Sequence, residues 1–95
     1  MYYYEIEIRN NFKDKVIYEY LYFREKEKAC NYFRKLRELY KISYNGYTVY
    51  RQYKNHVNYL TDDEIINNKN IYFDMFCNGK HIYFRVHEKY IDFQD

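Results

Sequence analysis

The side chains able to carry chemistry are few: His56, His81 and His87, Cys30 and Cys77, a single serine (Ser43) and two threonines in 95 residues. Nucleophilic catalysis needs one such group beside a base, and metal binding needs His, Cys or carboxylates converging at set spacings. The spacings HExxH, GxSxG, GxxxxGK and CxxC are all absent. Cys77 and His81 lie four residues apart across a tight turn, on opposite strand faces, so their side chains diverge. His81, His87 and Asp74 share one strand face but stand several residues apart in register, too far to share a metal. Glu5 and Glu7 project from one side of a strand, the pattern of a solvated face rather than of an acid/base pair. The chain is therefore expected not to be an enzyme, with no cofactor and no metal.

Composition points to binding instead. Sixteen tyrosines, beside no tryptophan and no proline, exceed what one small core can enclose. Tyrosine has a flat apolar ring with a polar tip, which suits half-buried strands and recognition surfaces alike. A tyrosine-rich surface supplies contact area at low side-chain entropy cost. Ile, Leu, Val, Met and Phe are sparse, so aromatic rings must fill much of the core, and the mean hydropathy is −0.92. Sixteen basic and 14 acidic residues leave a net charge of +2, which suits neither a strongly basic nucleic-acid binder nor an acidic nucleic-acid mimic. The two cysteines, unpaired by motif, read as reduced buried thiols in the cytoplasm. No apolar run reaches the length of a membrane span. One compact domain, residues 1–95, is expected, small enough that a homodimer is also an option.

The elements follow from periodicity. Tyr2, Tyr4, Ile6 and Ile8 alternate with Tyr3, Glu5, Glu7 and Arg9, a strand with one buried side. A polar turn over Asn10 to Lys15 leads to a second strand, Val16 to Phe23. There Val16, Tyr18, Tyr20 and Tyr22 compete with Ile17, Leu21 and Phe23 for the buried face. From Arg24 to Tyr40 the period becomes helical, with Ala29, Phe33, Leu36 and Tyr40 on one stripe and Lys28, Arg34, Lys35, Arg37, Glu38 and Lys41 opposite. After a turn at Ser43 to Gly46, Tyr47 to Lys54 reads as a third strand. Thr61-Asp62-Asp63-Glu64 is a capping box opening a short helix to Asn67. Asn78-Gly79 suits a two-residue type I′ loop between Ile71–Cys77 and Lys80–His87. That loop sets Met75 opposite Ile82, Phe73 opposite Phe84 and Ile71 opposite Val86 on one face. On the other, Phe76 meets His81, Asp74 meets Tyr83 and Tyr72 meets Arg85. Tyr90, Ile91 and Phe93 suit a tail docked on the sheet. The fold class is α+β: an antiparallel β-sheet packed against one main α-helix, in the order β-β-α-β-(short α)-β-β.

Two surfaces follow. Tyr72, Asp74, Phe76, His81, Tyr83 and Arg85, on the outer face of the last hairpin, have the Tyr/Arg character of protein interfaces. Alternatively Tyr72, His81, Tyr83 and Arg85, with Tyr50, Arg51 and Tyr53 as a further fragment of the same face, would stack the bases of RNA or single-stranded DNA, and Arg34, Arg37 and Lys41 offer a basic helix stripe for its backbone. Abundant Tyr, Asn, Lys and Ile, with one alanine and two glycines, fit AT-rich codons and a low-GC bacterial or phage gene. In size and composition across the whole chain, such a small tyrosine-rich α+β protein resembles the inhibitors that phages and mobile elements use against bacterial defences, such as anti-CRISPR proteins. The resemblance implies a protein of the bacterial cytoplasm that binds a host defence effector complex and blocks it sterically, at a site that normally holds nucleic acid.

Overall fold

The computed structural model describes residues 1–43, 48–49, 60–67, 71–77 and 79–94. The alternation at the N-terminus becomes β1 (Tyr2–Phe12), with Tyr4, Ile6 and Ile8 buried. It turns into β2 (Lys15–Phe23) through Lys13-Asp14 alone. Both loop residues have positive φ, 46° and 63°. The turn is thus shorter than the polar run around it, because a type I′ loop needs two residues and its twist matches that of the strands. The helix α1 spans Lys26–Ser43, beginning and ending later than its periodicity indicates. Ala29, Cys30 and Phe33 form its buried face, and Leu36 packs partly against the core. The backbone of β3 covers Thr48–Val49; residues 50–54 of the expected third strand, the turn at 44–47 and Asn78 lie outside the described residues.

The capping box is realised at α2 (Asp62–Asn67). The Glu64 amide donates to Thr61 Oγ1 at 3.2 Å, and the Thr61 amide donates to Glu64 Oε1 at 3.3 Å. This start turns Ile65 and Ile66 into the core. The last hairpin is β4 (Phe73–Cys77) and β5 (Lys80–Tyr90), with Gly79 at φ +79° in its loop. Its register is the one that the loop dictates: Phe73 faces Phe84, Asp74 faces Tyr83, Met75 faces Ile82 and Phe76 faces His81. Ile71 and Tyr72 precede β4, so their expected partners Val86 and Arg85 lie beyond the ladder.

Among the described residues five strands form one antiparallel sheet in the order β2-β1-β5-β4-β3. Its centre is the pairing of the two chain ends, an unbroken register from Tyr2 opposite Tyr90 to Phe12 opposite Lys80. Both helices pack on the face bearing Ile6, Ile8, Ile82, Phe84 and Val86. There Phe84 stacks on Phe73, with ring centroids 4.6 Å apart, and meets Phe33 of α1 edge-on at 5.5 Å. The tail does not dock on a sheet face. β5 runs three residues beyond its expected end, and Met1 and Ile91 exchange backbone hydrogen bonds of 2.8 and 2.9 Å. Ile91 and Phe93 are exposed, Phe93 by 66%. Backbone pairing, rather than side-chain burial, holds this end.

Cys30 is fully buried, and its Sγ donates to the Asp62 carbonyl at 3.8 Å. Burial pushes its thiol from the ordinary 9.0 to about 12. The native state therefore keeps a proton that the unfolded chain releases above pH 9, and stability falls as pH rises through that window. Cys30 is expected to resist iodoacetamide in the native protein at pH 8.5 and to react once urea unfolds it, read by mass spectrometry of the labelled peptide. The β1–β2 loop yields a second expectation. A non-glycine residue in the left-handed region costs on the order of 1 kcal/mol. Asp14→Gly should therefore stabilise the fold by about 0.5–1 kcal/mol, measured by urea denaturation; a loss of stability would show that Asp14 makes compensating contacts.

Candidate interaction surface

Strand alternation sends every second residue of four strands to the sheet face away from the helices. Across one row, Tyr20 of β2 lies beside Glu7 of β1 and then Arg85 of β5; across the next, Tyr18 lies beside Arg9, Tyr83 and then Asp74 of β4. These rows make one continuous lattice of tyrosines and charges.

The centre of the lattice is internally bonded. The Arg9 guanidinium sits over the Tyr83 ring at 4.5 Å, and Tyr72 packs on the same ring with centroids 5.5 Å apart. Burial raises the Tyr83 phenol above its ordinary 10.0. His87 Nε2 lies 3.0 Å from Glu7 Oε2, while His81 Nε2 bonds Asp74 and its Nδ1 accepts from Asn11 Nδ2 at 3.3 Å. The two histidines of β5 thus engage different carboxylates. Among the described residues no group of three His, Cys, Asp or Glu side chains is placed to hold a metal.

Of the residues expected on this surface, Tyr72, His81, Tyr83 and Arg85 do share the outer face, each partly covered by its neighbours. Asp74 is nearly buried, 9% exposed, because His81 closes over it; it acts as an anchor for His81 rather than as a contact residue. Phe76 pairs with His81 through its backbone, and its side chain lies outside the described residues. On this face the exposed tyrosines lie on β2 instead. Tyr18, Tyr20 and Tyr22 are 53%, 44% and 62% exposed, with Tyr18 and Tyr20 stacked nearly parallel at 6.4 Å. The signal for them is present in the chain as Tyr18-x-Tyr20-x-Tyr22, an alternation that could mark either a buried or an exposed row. The register with β1 decides between the two: it sets Leu21 and Phe23 beside the buried Ile6 and Tyr4, and the tyrosine row beside Arg9, Glu7 and Glu5 on the other face.

The helix stripe is corrected. Arg37 is 2% exposed, with Nη1 2.9 Å from Glu38 Oε1, so it lies within the fold rather than on the solvated side. Arg34 reaches across to the segment before α2. Its Nη2 donates to the Leu60 carbonyl at 2.8 Å, and its Nη1 lies 2.9 Å from Asp62 Oδ1. Lys26 and Asp63 add a second ion pair between α1 and α2. The side chain of Lys41, like Tyr50, Arg51 and Tyr53, lies outside the described residues. Two of the three stripe residues therefore bind the protein to itself. The helical period missed this because a guanidinium is polar by composition yet can be buried when its donors are met.

No family model, curated protein or solved structure matches this chain significantly. Among the described residues no helix is long and apolar enough to cross a membrane.

The lattice separates framework rings from free ones. Tyr83→Ala removes both the Arg9 and the Tyr72 contacts and is expected to cost about 1–3 kcal/mol of stability. Tyr18→Ala, at an exposed edge position, should cost under about 1 kcal/mol. Urea denaturation of the two variants checks this, and equal losses would contradict the distinction.

Proposed function

We propose that this protein is a non-enzymatic binding module that docks on a protein partner through the helix-free sheet face and blocks it sterically. The observation that carries the reading is the arrangement of that face. Exposed Tyr18, Tyr20 and Tyr22 continue into half-buried Arg85 and into half-buried Tyr72 and Tyr83, whose rings are held against each other and under Arg9. Rigid aromatic and arginine side chains lose little entropy on binding, which is the character of interface hot spots. The lattice is also mixed in charge, with Glu5, Glu7 and Asp74 among Arg9, Arg85 and Lys89. A mixed face favours a protein surface over a polyphosphate backbone. The resemblance in size and composition supplies the partner class: a host defence effector complex in the bacterial cytoplasm, met by a phage or mobile-element inhibitor.

The test is a tagged pull-down from host lysate, with and without nuclease, followed by titration of the purified partner. A stoichiometric protein that survives nuclease is expected. Tyr72→Ala and Arg85→Ala should each weaken its binding by roughly 2 kcal/mol, about 30-fold. Normal binding by a folded double variant would remove this face from the reading. Recovery of nucleic acid, with steep salt dependence and loss of the proteins on digestion, would transfer the function to an RNA- or single-stranded-DNA-binding module.

A further inference from the structure

On the helix-bearing side of the sheet, at the end next to the β1–β2 loop, lies a cleft of about 480 Å³. Asn10, Phe12, Lys15, Ile17 and Lys80 line it. Strand pairing explains the grouping: Lys15 and Lys80 flank Phe12 in one row, and Ile17 lies beside Asn10 in the next. The core on this face reaches Ile8 and Ile82, and past them Phe12 and Ile17 are 47% and 62% exposed. The volume is that of a small-molecule site.

Its floor and its rim differ in chemistry. The floor is apolar, made by the Phe12 ring and the Ile17 side chain. The rim is cationic: Lys15 and Lys80 stand on either side of Phe12, and the Lys13 ammonium lies 5.3 Å from the centre of the same ring. Lys80 also has a partner within the fold. Lys13 and Lys15 form no ion pair among the described residues, so the charge on offer is chiefly theirs. The neighbouring carboxylates, Asp14 in the loop and Glu19 beside Ile8, do not line the cleft.

That combination selects among ligands. A bare inorganic anion would give up water to an apolar floor that returns no hydrogen bond. A neutral apolar molecule would leave the ammonium rim unused. A nucleic-acid strand needs a succession of basic and aromatic sites, whereas the cleft holds a single unit. An apolar body carrying one carboxylate satisfies both parts. Its ring or chain covers Phe12 and Ile17, and its head meets the lysines, with the Asn10 amide as a further N–H donor.

We propose that this cleft binds a small amphipathic carboxylate, with an aromatic or alkyl body on Phe12 and Ile17 and the head at Lys15, Lys13 and Asn10. The cleft and the tyrosine face lie on opposite sides of the sheet, so binding at one can fail while binding at the other holds.

The test is an NMR titration of the isotope-labelled full chain with phenylpropanoate, followed through its backbone amides. Saturable shifts are expected around Asn10, Phe12, Lys15, Ile17 and Lys80, with a Kd of about 1 mM for a ligand of this size. Phenylpropanol keeps the ring without the charge, and acetate keeps the charge without the ring; each should bind at least roughly threefold more weakly. Lys13→Gln combined with Lys15→Gln should weaken the acid roughly tenfold and leave the alcohol unchanged. Native amide positions for Ile6 and Val86 show that this variant is folded. Should it misfold, the unsubstituted chain supplies the same contrast through salt: about 300 mM NaCl should weaken the acid and spare the alcohol. The absence of saturable shifts up to about 20 mM ligand, which is well above that Kd, would overturn the proposal. So would shifts centred elsewhere, equal affinity for acid and alcohol or for acid and acetate, salt-insensitive binding of the acid, or full affinity in the folded double variant.

Discussion

Everything in the fold hangs on the ladder between the first and last strands. β1 and β5 come from opposite ends of the chain, yet they form the middle of the sheet, with Ile6 against Val86 and Ile8 against Phe84. Those four side chains are the floor on which both helices sit. β2 is attached to β1, and β4 to β5, by local hairpins that could form early and cheaply. The closure that joins the two hairpins is long-range and must wait for most of the chain. The exchange of backbone hydrogen bonds between Met1 and Ile91 extends this ladder to the very start of the strand.

With the ladder in place, the sheet acquires two unlike faces. One is dry, built from isoleucines and from the packed rings of Phe33, Phe73 and Phe84. The other solves the problem of a core too small for its aromatic content. Tyr72 and Tyr83 there pack their rings against each other, and Arg9 covers the Tyr83 ring, while Tyr18, Tyr20 and Tyr22 stay exposed. Histidine–carboxylate pairs at Glu7 and Asp74 tie neighbouring strands together across the same face. A surface stiffened in this way can present side chains to a partner with little further ordering, and that makes the face a better candidate for recognition than a mobile one.

The basic residues show how composition and surface can part. Arg34 and Arg37 contribute to the chain's small positive charge, but one fastens α1 to the segment before α2 and the other is enclosed. Much of what looks like a cationic helix in sequence is therefore a clamp. The clamp, together with Lys26–Asp63 and the Cys30 hydrogen bond, fixes α2 so that Ile65 and Ile66 complete the core.

What the chain determined by itself is the set of features that depend on near neighbours. Alternation over Tyr2–Ile8, the helical stripe of Ala29 and Phe33, the Thr61–Glu64 capping box and the Phe73–Phe84 register all follow from local periodicity, side-chain capping or a two-residue loop. Tertiary structure alone decided that the terminal strands pair and which face of β2 lies beside the buried Ile6 and Tyr4. Those choices left Tyr18, Tyr20 and Tyr22 exposed, while Arg37 and Asp74 were buried by residues near them in the folded chain. The physical reason is that burial is a property of neighbours in space: Tyr-x-Tyr-x-Tyr reads the same on either face of a sheet. A guanidinium or carboxylate is likewise polar until its hydrogen-bond partners arrive from elsewhere in the fold.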